Sequence, residues 1–221
     1  MASKPRSIAL GDFLRETGPG RSTAGYLDRE VIYSQEHLAD AIFYIKNGTV
    51  KLTIEDTRRR KHAAIAILTK GAVFGEGCLL PGRASRRMST ATSIGSSTIV
   101  RVEKAVFRDG IERDPVLAGL FIRYLISQAT RFKMDLADHR LNSGFGERRL
   151  ARILLAYGKS AGNSPGGFSS HLLSQTTLAE LVGTTRSRLN LFMNKFRNQG
   201  YIRYNGVLEI DAARLKAFLQ G

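Results

Sequence analysis

The spacing of hydrophobic and polar positions changes character along the chain. Between residues 26 and 103, β-branched and aromatic side chains come in short runs broken by glycine. Ala41-Ile-Phe-Tyr-Ile-Lys46 is one such run. Thr49-Val-Lys-Leu-Thr-Ile54 alternates apolar and polar side chains, as a half-buried strand does. Asn47-Gly48 lies between the two runs and predicts a hairpin turn. Ala63–Leu68 follows a charged tip, Arg58-Arg59-Arg60-Lys61, and Ser97–Val102 reads as another strand. Short strands separated by turns predict a sandwich, barrel or roll.

From Pro115 to Leu141 the period becomes helical. Leu117, Leu120, Phe121, Tyr124, Leu125, Phe132 and Leu136 fall on one face, mostly three or four apart. A helix of that length predicts a spine between domains or a dimer seam. Asn142-Ser-Gly-Phe-Gly146 then reads as a hinge and Ser160–Gly167 as a loop. Residues 147–221 read as a second, mostly helical domain.

Within that domain, Ser174–Met193 has helix-turn-helix spacing. Leu178 and Val182 share a face, Ala179 is small where helices would cross, and Gly183 can take the positive φ of a tight turn. Leu189 and Phe192 supply the inner face of the second helix. Ser174 caps the first helix, and Thr184 or Thr185 the second. That second helix would expose Thr185, Arg186, Ser187, Arg188 and Asn190 near its start. Arginine pairs bidentately with guanine and asparagine with adenine, so these types suit the major groove. Lys195 and Arg197 suit phosphates. Gly200–Tyr204, an Asn205-Gly206 turn and Val207–Ile210 read as a wing, and Asp211 as the cap of a closing helix.

Charge fits this division. The chain of 221 residues has 34 Lys+Arg and 19 Asp+Glu, a net +15. Residues 147–221 hold 11 Lys+Arg and 4 Asp+Glu, a net of 11 − 4 = +7. A polyanionic partner is expected. The single cysteine, Cys78, excludes a disulfide framework and a multi-cysteine metal or iron–sulfur site within one chain. No run is apolar enough to span a bilayer, and no apolar signal core follows Met1, so a cytoplasmic protein without a membrane partner is expected. No nucleophile motif or acid/base pair suggests an enzyme.

Val182-Gly-Thr-Thr-Arg-Ser-Arg-Leu-Asn190, followed by Lys195-Phe-Arg-Asn-Gln-Gly-Tyr-Ile202, resembles the winged helix-turn-helix of bacterial CRP/FNR transcription regulators. Ala39–Leu52 and Lys70-Gly-Ala-Val-Phe-Gly-Glu-Gly77 resemble that family's cyclic-nucleotide-binding β-roll. The resemblance runs from about Tyr26 to Ile210 in the family's domain order. It implies an α+β chain: an N-terminal segment (1–25), a double-stranded jelly-roll type β-roll (26–113), a long dimerisation helix (114–141), a hinge (142–146) and a winged helix-turn-helix (147–221). The DNA-contacting set would be Ser174, Thr184, Thr185, Arg186, Ser187, Arg188, Asn190 and Lys195.

The family's phosphate-binding cassette places a glutamate at a Gly-Glu turn, and an arginine followed by a small residue about ten positions on. Here Gly75, Glu76 and Gly77 match the turn, with Cys78 beside it, and Arg86 or Arg87 supplies the cation. Met88 and Ser89 complete the candidate set. The residue after the arginine is Arg87 or Met88, and neither brings the small side chain or hydroxyl of cyclic-nucleotide binders. The family's Thr-Ser pair on the long helix is replaced near Met134 and Asp135; Asp135 could reach a base edge. A cyclic nucleotide thus remains a possible effector, cyclic AMP is put in doubt, and a cyclic dinucleotide is a further option given Arg83, Arg86 and Arg87. The expected function is a homodimeric regulator on a pseudo-palindromic duplex operator, with RNA polymerase as a further partner. The alternative is an effector-independent, architectural DNA binder.

Overall fold

The computed structural model describes residues 10–56, 61–80, 86–141, 145–160, 174–204 and 208–220. The charged tip at Arg58–Arg60, Arg83, the loop from 161 to 167, the Asn142–Gly144 part of the hinge and the Asn205-Gly206 turn lie outside the described residues.

Two long antiparallel strands organise the N-terminal half, β3 (Ala41–Asp56) and β6 (Thr90–Glu103). Short strands flank them at both ends. β1 (Arg21–Tyr26) and β2 (Val31–Tyr33) pair with different stretches of β6, while β4 (Lys61–Thr69) and β5 (Val73–Phe74) pair with different stretches of β3. The first part of β3 is buried on both faces, which is why it reads as an unbroken apolar run. Ala41, Phe43 and Ile45 join one core with Val50, Phe74 and Ile99. Ile42 and Tyr44 join another with Val100, Val102, Phe107 and Phe121, under the helices α1 (Leu10–Arg15), α2 (Lys104–Arg113) and α3 (Pro115–Leu141).

Asn47-Gly48 is not a hairpin turn: β3 runs straight through it. The ladder with β6 shifts register on both sides of Asn47. Gly48 takes φ 93° there, and a Cβ would come within 2.6 Å of the Ser96 carbonyl and the Ser97 Cα. The dipeptide therefore forms a β-bulge, which bends a long strand where a turn would end it.

α1 and β1 belong to the roll, extending it before Tyr26. Leu14 is fully buried beneath it, and Arg21 donates to the Phe13 carbonyl while its guanidinium lies 4.3 Å from the Phe13 ring centre. β1 is polar and mostly exposed, so its sequence has no apolar alternation to reveal it.

The helix α3 spans 27 residues. Leu117 and Phe121 are buried against the roll. The Tyr124 hydroxyl donates to the Val73 carbonyl at 2.7 Å and accepts from the Val73 N–H at 3.0 Å, so one side chain satisfies both backbone groups of a residue in β5. Val116, Ile122 and Ile126 are exposed. The C-terminal half packs α4 (Phe145–Ser160), α5 (Gln175–Val182), α6 (Arg186–Asn198), the hairpin β7 (Ile202–Tyr204) and β8 (Leu208–Ile210), and α7 (Ala212–Gln220) around Leu150, Leu154, Leu178, Leu189, Phe196 and Leu215.

Candidate functional site

Local sequence chemistry sets the helix-turn-helix. Ser174 caps α5, its hydroxyl accepting from the Thr177 N–H at 3.1 Å. Gly183 ends α5 at φ 74°, and the N–H groups of Gly183 and Thr184 return to the last-turn carbonyls of Glu180 and Ala179. Thr185, rather than Thr184, caps α6, accepting from the Arg188 N–H at 3.3 Å. Leu189 and Phe196 bury the inner side of α6. Arg186, Ser187, Arg188, Asn190 and Lys195 are exposed. Asp211 caps α7 through the Arg214 N–H at 3.0 Å.

Two residues of the candidate set have intramolecular partners that spacing did not reveal. The Arg186 guanidinium reaches the Gln175 side-chain oxygen at 3.4 Å, so the start of α5 touches the start of α6. The Lys195 ammonium donates to Glu147 of α4 at 2.7 Å. A cleft of about 440 Å³ lies between α6 and the hairpin, lined among others by Gln175, Asn190, Asn194, Arg197, Arg203 and Tyr204. Arg203 and Tyr204 lie in the predicted wing strand, but nothing in its spacing placed them beside α6.

In the roll, the turn at Gly75 has φ 79° and is followed by a 3-10 turn, Glu76–Leu79. Gly75 is held close to an arginine side chain: a Cβ there would lie 2.9 Å from Arg87 Nη1. The two candidate arginines separate cleanly. Arg86 is exposed, and its guanidinium donates outward to the Glu36 carbonyl at 2.7 Å. Arg87 is only 4% exposed. Its Nη1 donates to the Ala41 carbonyl at 2.8 Å and faces the Gly75 carbonyl at 3.4 Å, and its Nη2 meets Asp40 at 3.3 Å. The guanidinium carbon lies 4.5 Å from the Tyr33 ring centre and 5.0 Å from that of Phe43, so two aromatic faces hold the cation. Its Nε is buried without a hydrogen-bond partner among the described residues. Asp40 also pairs with Arg101 at 2.6 Å.

The other cassette residues divide by exposure. Protein crowding around Glu76 pushes its carboxyl above the usual carboxylate range, partly offset by a backbone hydrogen bond, although the residue itself opens to solvent at the turn. Ser89 is buried beside Tyr33, whose hydroxyl burial pushes up, with Ser89 pulling partly the other way. Met88 is 69% exposed. Cys78 is buried, and desolvation pushes its thiol up, with Arg87 pulling partly the other way. A thiol held neutral and covered is a poor target for oxidation. Asp135 lies on α3, but its side chain is outside the described residues.

Residues 25–114 match the model of the cyclic nucleotide-binding domain. Residues 148–218 match the Crp-like helix-turn-helix domain. The chain belongs to the CRP/FNR family of transcription regulators. A relative from Mycobacterium tuberculosis, the CRP-like cAMP-activated global transcriptional regulator, is 29% identical over 189 residues, covering 83% of this chain and 82% of the relative. The HTH-type transcriptional regulator Cmr of the same organism is 26% identical over 195 residues, or 86% of this chain and 73% of the relative. Among solved structures, FixK2 from Bradyrhizobium japonicum has the same fold, with a TM-score of 0.72 at 16% identity, covering 89% of this chain and 96% of FixK2. This CRP/FNR member is thus a DNA-binding transcription regulator with a cyclic-nucleotide-binding type domain.

Proposed function

We propose that the protein acts as a homodimer and reads a pseudo-palindromic operator by placing one α6 from each subunit in successive major grooves. The observation that carries this reading is the outward face of α6: a capped helix start at Thr185 that exposes Arg186, Ser187 and Asn190 beside a hairpin with exposed Arg203 and Tyr204. Thr184, Ser174 and Arg188 flank that start. Dimerisation is supported by α3, where Val116, Ile122 and Ile126 are exposed and a side chain at Gly119 would meet nothing within 4 Å. Cytoplasmic DNA and promoter-bound RNA polymerase are the partners this role needs. Selection of bound sequences from random duplexes tests it. The selected sites should contain two related half-sites about one helical turn apart. Arg186→Ala should relax one base position and cost roughly 1–3 kcal/mol there; an unchanged sequence preference contradicts the assignment.

For an effector, the cassette fits a cyclic nucleotide in part. Arg87 lies at the Gly75 turn with an Nε unpartnered among the described residues, which suits a phosphate, and the Glu76 carboxyl at the same turn suits a ribose hydroxyl. Met88, after Arg87, brings no hydroxyl to the cassette. A second reading, DNA binding without an effector, is favoured by one observation: the Arg87 guanidinium is already engaged by Ala41, Asp40 and two rings. Titrating the operator complex with cyclic AMP, cyclic GMP and a cyclic dinucleotide separates the two. A ligand-dependent rise in affinity, abolished by Arg87→Met, supports the first; equal affinity with every ligand supports the second.

A further inference from the structure

The outer surface of α6 holds one side chain whose chemistry differs from all its neighbours. Leu189 and Phe196 are fully buried, and Phe192 and Met193 are half-buried. At about 100° per residue, the direction opposite this buried side passes through Ser187, Leu191, Asn194 and Asn198. All are exposed, and Leu191 is 67% exposed. Every other exposed position of α6 is polar or charged. Leu191 therefore occupies the middle of the face presented to a partner, one turn beyond Ser187 and one turn before Asn194 and Lys195.

A duplex offers few groups that suit leucine. In the major groove the apolar feature of a base edge is the C5-methyl of thymine, and a methylated cytosine carries the same group on the same ring carbon. We propose that Leu191 reads a pyrimidine 5-methyl group, so that the operator contains a thymine, replaceable by 5-methylcytosine, opposite this side chain in each half-site. The proposal rests on α6 being the recognition helix. A leucine makes no hydrogen bond to a base, so its discrimination is methyl against hydrogen. Burial of one methyl corresponds to about a fourfold change in affinity per contact. It also makes the regulator responsive to cytosine methylation at that position.

The test uses the full chain and an operator selected from random duplexes. Each thymine is replaced in turn by deoxyuridine, which keeps base pairing and removes only the methyl group. At the position Leu191 contacts, uracil should weaken the wild-type complex about fourfold per half-site. Cytosine there should bind weakly, and 5-methylcytosine should recover the part due to the methyl. Leu191→Ala, a substitution at an exposed site, should bind the thymine operator as the wild type binds the uracil operator and should no longer distinguish the two. Wild-type affinity that is indifferent to uracil at every position overturns the proposal, as does a Leu191→Ala variant that keeps the full uracil penalty. Arg186→Ala separates the causes of failure. If it alters base preference while uracil has no effect, α6 reads DNA and Leu191 does not. If it also changes nothing, α6 is not the reading helix and both statements fall.

Discussion

Single residues show why chemistry-bearing positions were only half legible. Arg87 and Arg86 are adjacent, and a count along the chain could not choose between them. The pleat of the strand-like segment chooses: Leu38 bridges Arg86, so Arg86 faces out and Arg87 faces the Gly75 turn. The partners that hold Arg87, namely Asp40, Tyr33 and Phe43, lie more than forty positions away in sequence. Gly48 carries the opposite lesson. Its dipeptide predicts a turn because short-range chemistry cannot tell a positive φ in a hairpin from one in a bulge. Gly48→Ala should destabilise the protein by about 1–3 kcal/mol from backbone strain alone, with more from the clash against Ser97. Urea unfolding checks this; a stability equal to wild type contradicts the bulge geometry.

At the scale of elements, the helical part was legible because periodicity, caps and turns all agree there. Ser174, Gly183 and Asp211 cap or end the helices that their spacing predicted, and α3 covers Pro115–Leu141 as expected. What periodicity could not give was the division of α3 into two apolar sides. Leu117 and Phe121 face the roll, whereas Ile122 and Ile126 remain open. Tyr124 ties the inner side to β5, which leads straight into the Gly75–Glu76 turn. Tyr124→Phe leaves both Val73 backbone groups without that hydroxyl. The expected loss is about 1–3 kcal/mol, measured by thermal or urea unfolding. An unchanged stability shows that water replaces the hydroxyl at no cost.

Across the whole molecule, charge and interdomain contact set how the DNA-binding half behaves. Its basic excess supplies salt-dependent attraction to phosphates. Under the proposed function Lys195 would add to that attraction, and its ammonium is paired with Glu147. Glu147→Gln should therefore tighten binding to all duplexes similarly, and Lys195→Ala should weaken all of them and flatten the salt slope by about one unit. Binding at several salt concentrations checks both; a slope unchanged by Lys195→Ala removes this residue from the phosphate set. The same half also leans on the roll. Ala64 and Ile94 are buried in the cluster that contains Leu150 and Leu178, and Lys51 approaches Glu180 of α5 at 3.8 Å. Nothing in the local sequence announced this contact, because its apolar residues read as ordinary strand positions.

Chemical methylation protection on a selected operator tests the central claim most directly. Dimethyl sulfate marks guanine N7 in the major groove and adenine N3 in the minor groove. The wild-type complex should protect N7 in two patches about one helical turn, or roughly 10 base pairs, apart, and Arg186→Ala should lose protection at the same place in each patch. Protection confined to adenine N3, or a single N7 patch, would contradict a paired α6 in the major groove.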